Sequence, residues 1–427
     1  MTLRRRLIGF MVPPVLAAVS PLIALPLVAR SAGPDGWASA IAGESVGTFV
    51  AIVIGYGWAA IGPALISVAS TDAERARIYR ESLVVRLVIA VIGLPALAVI
   101  CWAVAAPGSE WLTVLMGTQG ALIALSFTWY CAGVGDPRTI ILYDAIPRVA
   151  MTIAATAVIA ATGLVVLYPL AGILVTIGGT AFFTARLLRR NVGPWPSVRE
   201  LPRLLRAGFP VALNDAALSA YSSVPAPLVN VTAPATAAAG FASADKMFKL
   251  GSVLPFTLAG ALQRWVGEVT GPERARRLRL SLSAHAALGL AGCLGLTGLG
   301  HWVSLLLFGE AAAATTAVLA VMGVVFLFLS LRTCMTRHIL FPASGARVVV
   351  RVTLIASVVG VPVMIGAAIA LGPIGAASGY ALTEGLATLL LWGPCAATMR
   401  DLRRSERAVA DTDLPRANPR DEENPDG

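Results

Sequence analysis

Three charged residues, Asp245, Lys246 and Lys249, stand about ten residues into an otherwise apolar run at 237–263. Charge at bilayer depth is expensive and persists where it faces a cavity, a partner or a substrate. Asp245 and Lys249 are spaced i and i+4 with the acid first, the favourable order for a pair on one helical face. Lys246 is left over. It reads either as a cation facing a water-filled cavity that accepts an anion, or as half of a structural pair with another helix. Glu44 either pairs with Arg30 or faces the same cavity, and Arg30 either joins it or snorkels to the headgroups. Asn214, Asp215 and Glu384 are candidates for carrying a coupling ion or proton, with interhelical hydrogen bonding as the plainer role. Asp144 and Arg148, again at i and i+4, read as a structural interface pair. Arg264 and Trp265 read as an interface anchor, and Arg332 and Arg337 as an attraction for anionic headgroups.

No set of residues points to covalent chemistry. The sequence has no GxxxxGK[ST] phosphate loop, no HExxH and no Gly-x-Ser-x-Gly elbow. His285, His301 and His338 are isolated, and the five cysteines are far apart without a CxxC pair, so they read as packing residues. The expectation is a non-enzyme without metal or cofactor.

The elements that must position these charges are helices in a bilayer. Of 427 residues, 57% are apolar and 13% charged, against roughly a quarter charged in soluble domains. Requiring roughly twenty apolar residues per crossing gives spans near 7–29, 37–69, 83–106, 112–133, 146–166, 168–186, 207–231, 237–263, 280–300, 312–333, 348–371 and 373–397. The second span is long enough to be tilted, or broken at Gly55, Gly57, Gly62 or Pro63. The first, flanked by Arg4, Arg5 and Arg6 and rich in proline, reads as a retained spanning helix rather than a signal peptide. With the N-terminus inside, 30 of the 33 basic residues fall in inside segments, so the net charge of +10 sets orientation and implies no nucleic acid. The other face has short connections, among them the Tyr168–Pro169 turn, His301 to Glu310 and Gly372–Pro373. From Arg400 the chain is polar and charged, and reads as a disordered cytosolic tail.

An internal repeat organises the spans. Pro21 to Gly47 aligns without gaps with Pro225 to Gly251 at an offset of 204, setting Gly36-x-Ala38-Ser39-Ala40 against Gly240-x-Ala242-Ser243-Ala244 and Trp37 against Phe241. Each repeat is then six helices, and an even number makes the two bundles parallel. The expected architecture is all-α and integral to the membrane, with about twelve spanning helices in two six-helix bundles around a central cleft and both termini cytosolic. Its parts are a first bundle at 1–190, a basic linker at 191–206, a second bundle at 207–399 and the tail at 400–427. Pro21 and Pro225 place kinks in the first and seventh helices.

The runs LPLVARSAGPDGWASAIAGESVG, GYGWAAIGPALISVAS and RIYRESLVVR, with FTWYCAGVGDP and GFASADKMFKLGSVLPFTLAGALQRWV, resemble bacterial lipid-linked polysaccharide flippases of the O-antigen and teichoic-acid exporter type. These belong to the multidrug/oligosaccharidyl-lipid/polysaccharide exporter superfamily. The resemblance implies two bundles forming a V-shaped cleft with a cation-lined cavity in the bacterial cytoplasmic membrane. It also implies inward-to-outward export of an undecaprenyl-diphosphate-linked oligosaccharide. The partners it implies are that lipid, membrane lipids and polysaccharide polymerases or glycosyltransferases. Lys246, Lys249 and Arg30 are the candidates to meet a diphosphate. Competing readings are a cation-coupled multidrug antiporter of the same superfamily and a non-transporting scaffold for cell-envelope glycan enzymes.

Overall fold

The computed structural model describes the backbone of residues 3–412, with side chains placed from Ser20 to Asp401 except at 218, 264, 271 and 272. The side chains of Arg4 to Arg6 and Arg264, and the tail beyond residue 412, lie outside what is described. Every regular element among the described residues is helical. In hydrocarbon only a helix or a closed barrel satisfies each backbone N–H and C=O, and the apolar runs here lack the alternation of a barrel.

The first half contains α1 (Leu3–Gly55), α2 (Trp58–Val68), α3 (Asp72–Val104), α4 (Glu110–Leu122), α5 (Thr128–Val134), α6 (Pro137–Ile140), α7 (Ile146–Thr162) and α8 (Leu167–Arg190). The second contains α9 (Leu201–Ser223), α10 (Pro225–Thr232), α11 (Ala235–Gly251), α12 (Val253–Gly267), α13 (Gly271–Gly298), α14 (Gly300–Phe308), α15 (Thr316–Cys334) and α16 (Ala346–Thr412). A π turn at Ile141–Ala145 joins α6 to α7, and another at Met335–Leu340 prolongs α15. Eight stretches of these helices are long and apolar enough to cross a membrane. The chain is a multi-pass membrane protein.

Two of those stretches are folded rods. Gly33 (φ 68, ψ 178) and Gly372 (φ 63, ψ −140) break α1 and α16 in the region of φ that glycine enters cheaply. A proline follows each, fixing the next φ and removing a donor. The second span is interrupted at Tyr56 and Gly57, one of the sites its length predicts. The kink expected at Pro21 does not interrupt α1, whereas at Pro225 the ladder lapses at Val224 while the dihedrals there stay helical. Tyr168 and Pro169 lie inside α8, the turn being at Gly163 instead, and His301 to Phe308 is helical rather than a loop. The helix of α16 continues through Arg400.

Small residues set the closest packing, as lipid-exposed bundles require. A Cβ on Gly43 would stand 2.2 Å from the Thr113 carbonyl oxygen, and one on Gly47 2.1 Å from that of Gly117, so α1 lies directly on α4.

The buried apolar residues fall into separate clusters whose placement defines the shape. One spans both halves, joining Leu25, Trp37, Ile41 and Leu112 to Phe241, Phe308, Leu319 and Met364, and it lies toward the connections at Gly33 and Gly309. Toward the opposite connections, near Asn191, each half has a core of its own. The first is aromatic, with Tyr79, Phe127, Trp129, Tyr130 and Phe183; the second is aliphatic, with Leu278, Ile339, Val349 and Leu391. The halves are therefore sealed together at the Gly33 end and part toward the Asn191 end. A strut remains there, where Tyr56 Oη donates to the Leu205 carbonyl at 2.9 Å.

Candidate functional site

Between the halves lies a cavity of about 710 Å³, walled by residues of both. α1 brings Glu44 to it, α11 brings Lys246 and Lys249, α15 brings Arg332 and α16 brings Glu384, while the π turn and α7 bring Asp144 and Arg148.

At the sealed end the charges cross the interface. Lys246 Nζ donates to both Glu44 oxygens, at 2.6 and 2.7 Å, with the lysine side chain only 7% exposed. Both readings of Lys246 meet here, for it lines the cavity and is paired with another helix, through a carboxylate 202 residues away, and Glu44 is not a partner of Arg30. Lys249 Nζ lies 2.7 Å from Asp245 Oδ2, the pair the i, i+4 spacing predicts, and donates to Ser45 Oγ at 2.8 Å. Ser45 and Lys249 are equated by the repeat, so equivalent positions of the two copies touch. The repeated Gly-x-Ala-Ser-Ala segments pack beside them: Trp37 Nε1 donates to Ser243 Oγ at 2.9 Å, and Ser243 Oγ to the Ala312 carbonyl at 2.6 Å. Asn230 Nδ2 reaches across to the Val104 carbonyl at 2.6 Å.

Farther along the cavity the charges pair within each half. Arg332 holds Glu384 in a bidentate bridge, Nε to Oε2 at 2.8 Å and Nη2 to Oε1 at 3.0 Å, and Tyr221 Oη donates to Oε1 at 2.7 Å. The carboxylate is 1% exposed, and α9, α15 and α16 are tied through it. In the other half Arg148 Nη2 meets Asp144 Oδ1 at 2.6 Å and Thr176 Oγ1 at 3.4 Å. The Arg332–Glu384 pair holds geometry, because removing the arginine strands a buried charge in low dielectric.

The structure therefore gathers Lys246, Lys249, Glu44 and Glu384 on the cavity, with Asp245 fully buried behind Lys249. Arg30 is not among them: it is exposed at the sealed end, its Nη2 donating to the Leu306 carbonyl at 2.6 Å. Asn214 and Asp215 also lie off the cavity, hydrogen-bonded to each other at 3.1 Å. Arg332, read as a headgroup contact, and Asp144 with Arg148, read as an interface pair, turn out to line it. Arg86, three residues into the span expected at 83–106, is 1% exposed; it donates to the Ala124 and Ser126 carbonyls, left free where α4 gives way to a 3₁₀ turn. His285 and His338 are not isolated, their rings lying 5.8 Å apart between α13 and the π turn. A sequence signal for the arginines existed: each stands beside a helix-compatible stretch that carries the helix well past it.

No protein-family model and no curated protein sequence matches the chain. Solved structures do. A multidrug resistance MATE family transporter of the MOP superfamily, in its inward-facing conformation, superposes with a TM-score of 0.70 at 17% identity over 91% of this chain and 96% of that one. The lipid II flippase MurJ, in an inward closed conformation, gives 0.64 at 12% identity over 95% and 94%. The chain has the fold of these transporters. An outward-facing conformation of a MATE family transporter superposes less well, at 0.54 and 16% identity over 93% and 95%.

Proposed function

We propose that this chain is a transporter that carries an amphiphilic anion, an undecaprenyl-diphosphate-linked oligosaccharide, from the inner to the outer leaflet by alternating access. The observation that carries this reading is the cavity itself. It is shared by both halves and sealed at one end, where it bears Lys246 and Lys249, whose carboxylate partners an incoming diphosphate can replace.

Orientation comes from arginine. The connections at the Asn191 end carry Arg75, Arg77, Arg189, Arg190 and Arg199, those at Gly33 and Gly309 few, so the Asn191 end is cytosolic and the cavity opens inward. Divided at Gly33 and Gly372, the eight apolar stretches become ten. The interrupted segments 201–232 and 235–267 make twelve, six in each half on either side of the linker at 191–206, with both termini cytosolic.

A second reading has its own support. Among the described residues every cation on the cavity faces an acid, Glu44, Asp144, Asp245 or Glu384, and such carboxylates suit a cation-coupled antiporter of drugs, with Glu384 as the coupling candidate.

The test is the sidedness of lipid-linked oligosaccharide in cells depleted of the protein and complemented with wild type or Lys246→Ala. Trapping on the cytosolic face, relieved by the wild type alone at equal abundance, is the expected result. Normal arrival at the outer face without the protein sinks the flippase reading and leaves drug-stimulated cation flux as the measurement to make.

A further inference from the structure

A second, apolar hollow of about 420 Å³ opens on the outside of the first half, between α3, α4 and α8. Its walls are Leu83, Leu87, Leu122, Leu125, Ile177 and small residues of α8, with threonines as the only polar side chains among the described residues. Leu87, Ile177 and Ala181 are exposed, so in a bilayer the hollow faces lipid. Leu83 and Leu87 belong to the first half of α3, and Thr180 to Ala185 to the second half of α8. At 1.5 Å of rise per residue, both place it in the leaflet at the Asn191 end.

Only a thin partition separates this hollow from the central cavity. Ile123 and Ser126 line the cavity while their neighbours Leu122 and Leu125 line the hollow, at the point where α4 stops being α-helical. Irregular backbone at membrane depth is tolerated where it borders a cavity, and here it borders two, its free carbonyls held by Arg86. Thr176 is common ground: it lines the hollow and its Oγ1 accepts from Arg148, whose guanidinium lines the cavity.

We infer that the hollow seats the hydrocarbon chain of the transported amphiphile while its anionic head stands in the central cavity. The inference rests on the flippase reading. An apolar slot in the loading leaflet, adjoining a charged chamber across one interrupted helix, matches a molecule with a polyprenyl tail and a phosphate head. Chain length then enters recognition, because each methylene moved into a protein slot complementary to it adds contact that a charged chamber cannot give.

The experiment is binding to the full-length protein in nanodiscs of undecaprenyl monophosphate and of a ten-carbon prenyl monophosphate, comparing wild type with Ala181→Trp and Ala185→Trp, which fill the hollow. Expected is a loss of about tenfold for the long chain in both variants, with short-chain binding unchanged, which also shows that the variants fold. Crosslinking of an undecaprenyl probe carrying a diazirine on its chain should label peptides from 83–87 or 176–185. An equal loss for both chain lengths, no loss for either, or labelling of those peptides only by a diazirine phosphatidylethanolamine overturns the assignment while leaving the flippase reading in place. Failure of the wild type to bind either prenyl phosphate removes both.

Discussion

The two ends of the molecule use the same chemistry to opposite purposes. At the Gly33 end, charge and hydrogen bonding cross from one half to the other: Glu44 with Lys246, Ser45 with Lys249, Trp37 with Ser243. Toward the Asn191 end, the cavity's charges pair within a half: Arg332 with Glu384, Arg148 with Asp144. A cross-half pair can be exchanged when the halves move, whereas a pair within one half survives the movement and keeps that half rigid. The prediction is that mutations at the first end shift a conformational equilibrium and those at the second unfold a bundle.

The largest effect should come from the second kind. Arg332→Ala strands Glu384 at 1% exposure, and a loss of about 3–5 kcal/mol of stability is expected, read by thermal unfolding in detergent. Arg332→Ala with Glu384→Leu should recover much of that loss; if the double variant is no more stable than the single, the pair is not what holds α9, α15 and α16 together.

Next comes Lys246→Ala, which removes a cross-half partner of Glu44. Melting should change little. Spin labels at the exposed positions Val68 and Phe341, one on each half at the Asn191 end, should instead report a larger share of the shorter distance, by about fivefold for about 1 kcal/mol. An unchanged distance distribution with a lowered melting point would erase the contrast between the ends.

Trp37→Phe keeps the ring stacked on Phe308 but deletes the bond to Ser243. Roughly 1 kcal/mol in the same equilibrium is expected, detected with the same labels. Smallest is Arg276→Ala, which takes away a surface partner of Glu273 with a 62% exposed side chain. Neither melting nor distance should move, and a measurable change in either would mean that surface charge contributes to the seal.

Sequence carried the outline of this contrast better than its parts. Apolar run length located the helices, and the arginine-rich connections ordered their ends. The i, i+4 spacing paired Asp245 with Lys249 and Asp144 with Arg148, and the repeat marked the segments that meet at the seal. The partner of Lys246 was illegible because a contact over 202 residues leaves no periodic trace. Arg86 and Arg332 fall inside the spans expected at 83–106 and 312–333 but within a turn of their cytosolic ends, which reads as a place at the membrane surface, and in the structure both helices run on past those ends. α3 begins at Asp72, and α15 continues by a π turn to Leu340, which sinks Arg332 about two turns below its expected depth. Arg30 was misassigned in the other direction, its position near an outer helix end serving the seal's backbone rather than the chamber.

The meeting of Ser45 with Lys249 reaches beyond electrostatics. Where two copies of a unit face each other about an axis, a position near that axis confronts its own image. Two identical halves would have to set lysine against lysine there, or serine against serine, and an acid placed at 44 in one would recur at 248 in the other, where this chain has Phe248. A seal that holds one lysine against a serine and a second against a glutamate is open only to copies that have ceased to be identical, as the two halves of this chain have.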